Sequence, residues 1–303
     1  MAEQFCDVGR GITLCYERFG SEADPPLLLI MGLATQMIGW PDEFCAALAE
    51  RGFQVIRFDN RDIGRSTRVR GQPPSVRQLV TRKIDPVLYT LSDMAGDAAG
   101  LMRELGISPA HVVGASMGGM IAQTLAAEHP ETVRSLVSIM SNTGNRWTGQ
   151  PKLTTYRYLL RRAPDERDAF IEYTTKLFEA IGSRGLPYDR DRVRKMVARS
   201  YDRGRDPAGP GRQLGAVVAS GDRTAQLRTI RAPTLVIHGT TDPLVAKSGG
   251  VATARAIPGA RLMVIQGMGH DLPEAAWSQL VQAIAGHAHA ADQAASGTPV
   301  SAS

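Results

Sequence analysis

Apolar residues follow two rhythms along this 303-residue chain, and the rhythms keep exchanging places. Residues 12–19 alternate apolar and polar positions, as a half-buried strand does, whereas Pro25-Pro-Leu-Leu-Leu-Ile-Met-Gly32 is an unbroken apolar run closed by glycine, the mark of a strand covered on both faces. A short loop, 33–36, leads to a helix from about Pro41, a residue suited to a first turn, with Phe44 and Leu48 at helical spacing. Residues 53–59 predict the next strand. Residues 92–105 predict the next helix, with Thr90 and Asp93 as a capping pair and Gly106 as its stop. Strand then gives way to helix again through 111–128, and 133–140 predicts a further strand. This repetition predicts an α/β fold on a mostly parallel sheet.

Between residues 143 and 222 the alternation stops. Segments 154–162, 165–181 and 188–203 read as helices with no strand between them, so 143–222 is expected to be a helical insertion dividing a core into 1–142 and 223–287. Strand and helix resume with 232–239, a helix near 247–256, a strand at 260–266 and a last helix near 274–285. The tail, 288–303, is rich in Ala, Ser and Gly and is expected to be disordered.

The chain is organised around the handover at 111–128. Val112-Val113 enters a cluster of small residues, and from Met117 the apolar positions take helical spacing, so a strand passes into a helix through Ser116. Gly114-Ala-Ser-Met-Gly118 therefore reads as a nucleophile elbow. Glycines flank the serine because the turn is sharp and side chains there would strike the adjoining strand or helix. The plainer reading is an ordinary Gly/Ser turn, since the five-residue pattern also occurs by chance. A decision between the two requires partners for the serine.

Composition narrows the setting. With 43% hydrophobic and 21% charged residues and a mean hydropathy of -0.16, the chain resembles a soluble globular protein. No apolar run approaches the ~20 residues of a membrane helix. The N-terminus lacks the pattern of a secretory signal, and Cys6, Cys15 and Cys45 lack disulfide or metal-ligand spacing. Reduced thiols in a cytoplasmic protein without stable membrane insertion are expected. The net charge is +5. Residues 151–222 hold 15 Lys+Arg against 10 Asp+Glu, a surplus of five by themselves, which suits either anionic substrates or a solvated helical face. No basic motif interleaved with aromatics points to nucleic acid. No metal cluster, phosphate-cradling loop or dinucleotide fingerprint is present, so no cofactor is expected.

A serine hydroxyl needs an adjacent base, and the base an orienting acid. Of six histidines, only His270 lies just past a strand end in a Gly-rich loop, Gly267-Met-Gly-His-Asp-Leu-Pro273. In a parallel sheet the carboxyl ends of the strands share one edge, so this loop opens beside the elbow. Asp242, in Gly239-Thr-Thr-Asp-Pro-Leu-Val245, follows a strand on the same edge. The rival position after 133–140 offers Ser141-Asn142-Thr143 and no carboxylate. Two backbone N–H groups should face the developing oxyanion: that of Met117, and one from the loop after Met31-Gly32, most simply Leu33.

With Ser116, Asp242 and His270 in that order, the chain resembles the α/β-hydrolase fold superfamily over nearly its whole length. The stretches Leu-Leu-Leu-Ile-Met-Gly, Arg57-Phe-Asp-Asn-Arg-Asp-Ile-Gly-Arg-Ser66, Gly-Ala-Ser-Met-Gly-Gly and Gly-Met-Gly-His-Asp-Leu-Pro look most like actinobacterial serine esterases, including LipG-type lipase/esterases and aclacinomycin methylesterases. The resemblance implies an eight-stranded, mostly parallel sheet and an α-helical cap inserted before the acid-bearing strand. Met31-Gly32 stands where many relatives carry His-Gly.

The expectation is a cofactor-free serine hydrolase that cleaves small-molecule or lipid carboxylic esters through an acyl-enzyme. Thioesterase, phospholipase, C–C bond hydrolase or perhydrolase activity would use the same triad, and a non-catalytic ligand-binding protein could share the fold. Epoxide hydrolases and haloalkane dehalogenases are disfavoured, since those relatives carry aspartate in place of the serine. Acyl chain length, leaving group and oligomeric state are not legible.

Overall fold

The computed structural model describes residues 2–155 and 163–296. Eight strands form one sheet: β1 (Gln4–Asp7), β2 (Thr13–Phe19), β3 (Pro26–Ile30), β4 (Gln54–Phe58), β5 (Ala110–Ala115), β6 (Val133–Ile139), β7 (Thr234–Gly239) and β8 (Arg261–Ile265). Their order is β1-β2-β4-β3-β5-β6-β7-β8. β2 pairs antiparallel with β1 and with β4, and every later pairing is parallel.

The continuous apolar runs are explained by cover on both faces. β4, β5 and β7 are buried along their whole length, and successive residues divide between two cores, as a side-chain period of two requires. Leu28, Ile30, Val112 and Leu136 enter one cluster with Met94, Leu101, Ile121 and Leu125. These partners lie on α3 (Leu91–Glu104) and α4 (Met117–Glu128). Leu27, Leu29, Val113 and Val137 enter the other with Phe44, Leu48, Leu280 and Ile284, carried by α1 (Asp42–Ala49) and the terminal helix.

Between β6 and β7 the chain is helical: α5 (Arg167–Ile181), α6 (Arg190–Arg203), α7 (Gly209–Ser220) and the short α8 (Thr224–Leu227). Most of the helix expected at 154–162 lies outside the described residues. α7 has no counterpart in the sequence reading, because Gly209-Pro-Gly-Arg-Gln-Leu-Gly215 carries three glycines and a proline. Docking decides its conformation: a Cβ on Gly209 would lie 2.2 Å from the Asp62 carbonyl oxygen. β1 and the six-residue α2 (Val76–Thr81) were likewise unanticipated.

The expectation of a disordered tail from residue 288 is corrected as far as Ser296. The last helix, α10, runs Trp277–Ser296 after α9 (Lys247–Ala256). Ala-rich sequence favours helix, and tertiary contacts hold it. His287, Ala288 and Ala291 are buried, and the His289 ring stacks on Phe53 with centroids 4.7 Å apart.

Candidate active site

Ser116 joins β5 to α4 with φ 56° and ψ -120°, a conformation that non-glycine residues adopt only when their surroundings enforce it. The enforcement comes from close packing. A Cβ on Gly114 would fall 2.1 Å from the Gly118 carbonyl oxygen, and one on Gly118 would fall 2.0 Å from that of Ile30. Gly32 lets the loop after β3 pass the serine, since a Cβ there would lie 3.0 Å from Ser116 Cβ.

The three side chains singled out by sequence meet. His270 Nε2 lies 2.9 Å from Ser116 Oγ, and His270 Nδ1 lies 2.8 Å from Asp242 Oδ2. Each follows the carboxyl end of a parallel strand, Ser116 after β5, Asp242 after β7 and His270 after β8, so the sheet itself gathers them. Asp242 Oδ1 accepts from the Leu244 and Val245 N–H groups, both at 2.8 Å. Asp242 is 4% exposed and His270 7%. With Nδ1 facing a carboxylate, the imidazole keeps its proton there and presents an unprotonated Nε2 to the serine.

His238, inside β7, adds a second imidazole to the Asp242 carboxylate. Its Nε2 is 2.8 Å from the Val245 carbonyl oxygen and 3.6 Å from Asp242 Oδ2. Burial, the largest influence, pulls this imidazole below its ordinary range, so it stays neutral and leaves the carboxylate charge to His270.

The two residues expected to supply the oxyanion donors share one cavity. Leu33 and Met117 both line the cavity that contains Ser116 and His270. Among the described residues, neither N–H donates to a protein acceptor. Met117 opens α4, where helix N–H groups have no intrahelical partner.

The His270 loop is tied to the helical segment between β6 and β7. The His270 N–H donates to the Ile181 carbonyl at 2.8 Å, and the Gly269 N–H to Ser183 Oγ at 2.9 Å. Ser183 Oγ in turn donates to Asp271 Oδ1 at 2.6 Å. Burial pushes the Asp271 carboxyl above the usual carboxylate range, with the Ser183 hydrogen bond pulling the other way. None of these ties is legible in the sequence, because they join residues about 86 positions apart without a local pattern.

The cavity, of about 1400 Å³, is lined by Phe170, Tyr173, Phe178 and Met196 from α5 and α6, by Met31 and Met140 just past the ends of β3 and β6, and by Met120 from α4. Arg223 also reaches the lining. It is 5% exposed, and its guanidinium donates to the Met120 and Asn142 carbonyls and to Gln123 Oε1. Burial draws it down to about 10.

A serine on a strained strand–helix turn, set on an eight-stranded, mostly parallel sheet with helices on both faces, defines the α/β-hydrolase class. A model of the alpha/beta hydrolase fold matches residues 25–274, and the chain belongs to that family. It is 30% identical over 301 residues to the rhodomycin D methylesterase of Streptomyces peucetius, covering 92% of this chain and 96% of that protein. The rhodomycin D methylesterase of Streptomyces sp. (strain C5) is 31% identical with the same coverage. Among solved structures, a hydrolase from Pseudomonas aeruginosa PA01 superimposes with a TM-score of 0.68 at 25% identity, covering 95% of this chain and 97% of that one. Among the described residues no helix is long and apolar enough to cross a membrane.

Proposed function

We propose that this protein is a serine carboxylic-ester hydrolase working through Ser116, His270 and Asp242. The observation that carries the reading is the single imidazole spanning Ser116 Oγ at 2.9 Å and Asp242 Oδ2 at 2.8 Å. Ser116 Oγ attacks the ester carbonyl as its proton passes to His270 Nε2. The Leu33 and Met117 N–H groups take the negative charge that develops on the carbonyl oxygen. Collapse of the tetrahedral adduct breaks the acyl C–O bond, and His270 returns the proton to the departing alkoxide. Water, deprotonated by the same nitrogen, then releases the acid and restores the serine. Asp242 orients the ring and stabilises the transient imidazolium.

The helices of residues 143–222 act as a cap over this centre, between core segments 1–142 and 223–287. The cap supplies Phe170, Tyr173, Phe178 and Met196 to the cavity. An enclosure of about 1400 Å³ lies above the usual range of small-molecule pockets and suits a bulky apolar acyl group. The two methylesterase relatives support a small alcohol as leaving group.

The test is hydrolysis of methyl and p-nitrophenyl esters of increasing acyl size, with acyl-CoA thioesters in parallel, by the protein and its Ser116→Ala variant. Turnover that rises with acyl bulk and falls by about 10³-fold or more in the variant is expected. An equally active variant would overturn the assignment, and a preference for thioesters would move the substrate class.

A further inference from the structure

The turn that carries Leu33 is held in place by the helical segment above it. Ala34, the next residue, has φ 59°, in the left-handed region that residues with a Cβ seldom occupy without an external hold. Its N–H donates to Gln213 Oε1 at 3.0 Å, and Gln213 Nε2 donates to the Arg61 carbonyl oxygen at 2.9 Å. One partner can only donate and the other can only accept, so the amide has a single orientation. Gln213 is 0% exposed, so removing it would leave the buried Arg61 carbonyl oxygen without this donor and free the Ala34 N–H from its hold.

Both ends of this strut are themselves fixed. Arg212, beside Gln213 on α7, forks onto Asp62 with Nη2–Oδ1 at 2.7 Å and Nε–Oδ2 at 3.0 Å. Arg61, whose carbonyl accepts from Gln213, forks onto Asp97 with both contacts at 2.6 Å. At the other end of the turn, Asn60 Nδ2 donates to the Met31 carbonyl at 2.9 Å. Residues 31–34 are thus gripped from two sides, by Asn60 from the core and by Gln213 from α7.

We infer that Gln213 is a positioning residue for ester hydrolysis. It fixes the peptide between Leu33 and Ala34, which limits the rotation of Leu33 and holds the Leu33 N–H at the oxyanion position. The oxyanion site is then complete only while α7 is docked on the Asp59–Asp62 loop, which couples the cap to the chemical step. Preorganised donors of this kind stabilise the transition state because they need not reorient as charge develops. The inference rests on the Ser116 mechanism above and adds to it a residue that touches no reacting atom.

Gln213→Met keeps side-chain length and removes both hydrogen bonds. The readouts are kcat, KM and the pH profile on one ester. Alongside them come the inhibition constants of an alkyl trifluoromethyl ketone, which adds Ser116 Oγ to give an oxyanion adduct, and of the matching methyl ketone, which binds without that charge. Expected are a fall in kcat of about 10- to 100-fold, a KM within about threefold and an unmoved pH profile. The trifluoromethyl ketone should weaken in proportion to kcat/KM while the methyl ketone holds. A purely structural role would lower melting temperature without changing the ratio of the two ketones.

A kcat within about twofold of the native value, or a reduced kcat with an unchanged ketone ratio, overturns the inference. Gln213→Glu keeps the acceptor for the Ala34 N–H and should retain more kcat than Gln213→Met. Should the methionine variant not fold, Gln213→Asn, whose amide is one methylene too short to reach the Ala34 N–H, takes its place: a lowered ketone ratio supports the inference, and a native ratio overturns it. Ester turnover surviving in Ser116→Ala would instead defeat the underlying mechanism, whatever Gln213 does.

Discussion

Asp242 and His270, 28 residues apart in the chain, meet at 2.8 Å through Oδ2 and Nδ1. The other carboxylate oxygen is engaged by the Leu244 and Val245 N–H groups. An amide at this position cannot serve both sides. With its oxygen turned to accept from the backbone, it would present its NH2 to Nδ1 and force the proton onto Nε2, the nitrogen that must receive it from serine. Asp242→Asn is therefore expected to lower kcat by about 10³- to 10⁴-fold while the protein remains folded. Steady-state kinetics beside a circular dichroism spectrum checks both halves.

Gly118 separates cost from benefit at the elbow. The Cβ of an alanine would sit 2.0 Å from the Ile30 carbonyl oxygen and 2.7 Å from that of Met31, and backbone cannot swing aside as a side chain can. Gly118→Ala should destabilise by about 3 kcal/mol or more and remove activity by displacing α4. Gly286, exposed within α10, has nothing within 4 Å of its Cβ position. Gly286→Ala should stabilise by about 0.5–1 kcal/mol. Urea titration of both variants measures the contrast.

The Asp62 carboxylate is wholly buried and serves Arg212, the Tyr89 hydroxyl and the Val69 N–H. Arg212 also pairs with Asp206, yet its side chain is only 4% exposed. Asp62 has φ 71°, which asparagine tolerates nearly as well, so Asp62→Asn reports the charge and not the backbone. Leaving a buried guanidinium short of its partner is expected to cost about 3–5 kcal/mol, read as a lowered denaturation midpoint.

What could be read from the sequence was what a parallel sheet makes local. Ser116, Asp242 and His270 each lie just past a strand whose apolar run is unmistakable, and the shared direction of those strands places them on one edge. Gln213 carries no such mark. Its helix is written in glycines and proline, and it forms because Arg212 and Gly209 dock on Asp62, about 150 residues away. The terminal helix misled for a related reason. Ala288–Ser296 resembles a low-complexity tail until the burial of Ala288 and Ala291 and the stacking of His289 on Phe53 are known. Composition reports propensity; the tertiary surface that a weak helix or tail can cover lies elsewhere in the chain.

Three buried histidines set how stability should vary with pH. Burial is the largest influence on His111, His238 and His287, and it holds each below the ordinary value of 6.5. In the unfolded chain each takes up a proton near that value, whereas in the folded protein each does so only at lower pH. The unfolded state thus binds more protons just below pH 6.5, and stability must rise with pH there. Read downward, the stabilisation present above about pH 6.5 is lost as pH falls toward the depressed folded values. Asp97 and Asp271, whose carboxyls burial pushes up from 3.8, act with the opposite sign in a window that begins at lower pH. The comparison that isolates the imidazole contribution is therefore a variant. His287 Nε2 lies 3.0 Å from the Pro233 carbonyl oxygen, and a glutamine can still donate to it without titrating. Melting temperatures taken from pH 7.5 to 5.5 should fall in both proteins and fall less steeply in His287→Gln. Parallel curves would show that His287 takes up its proton equally in the folded and unfolded states.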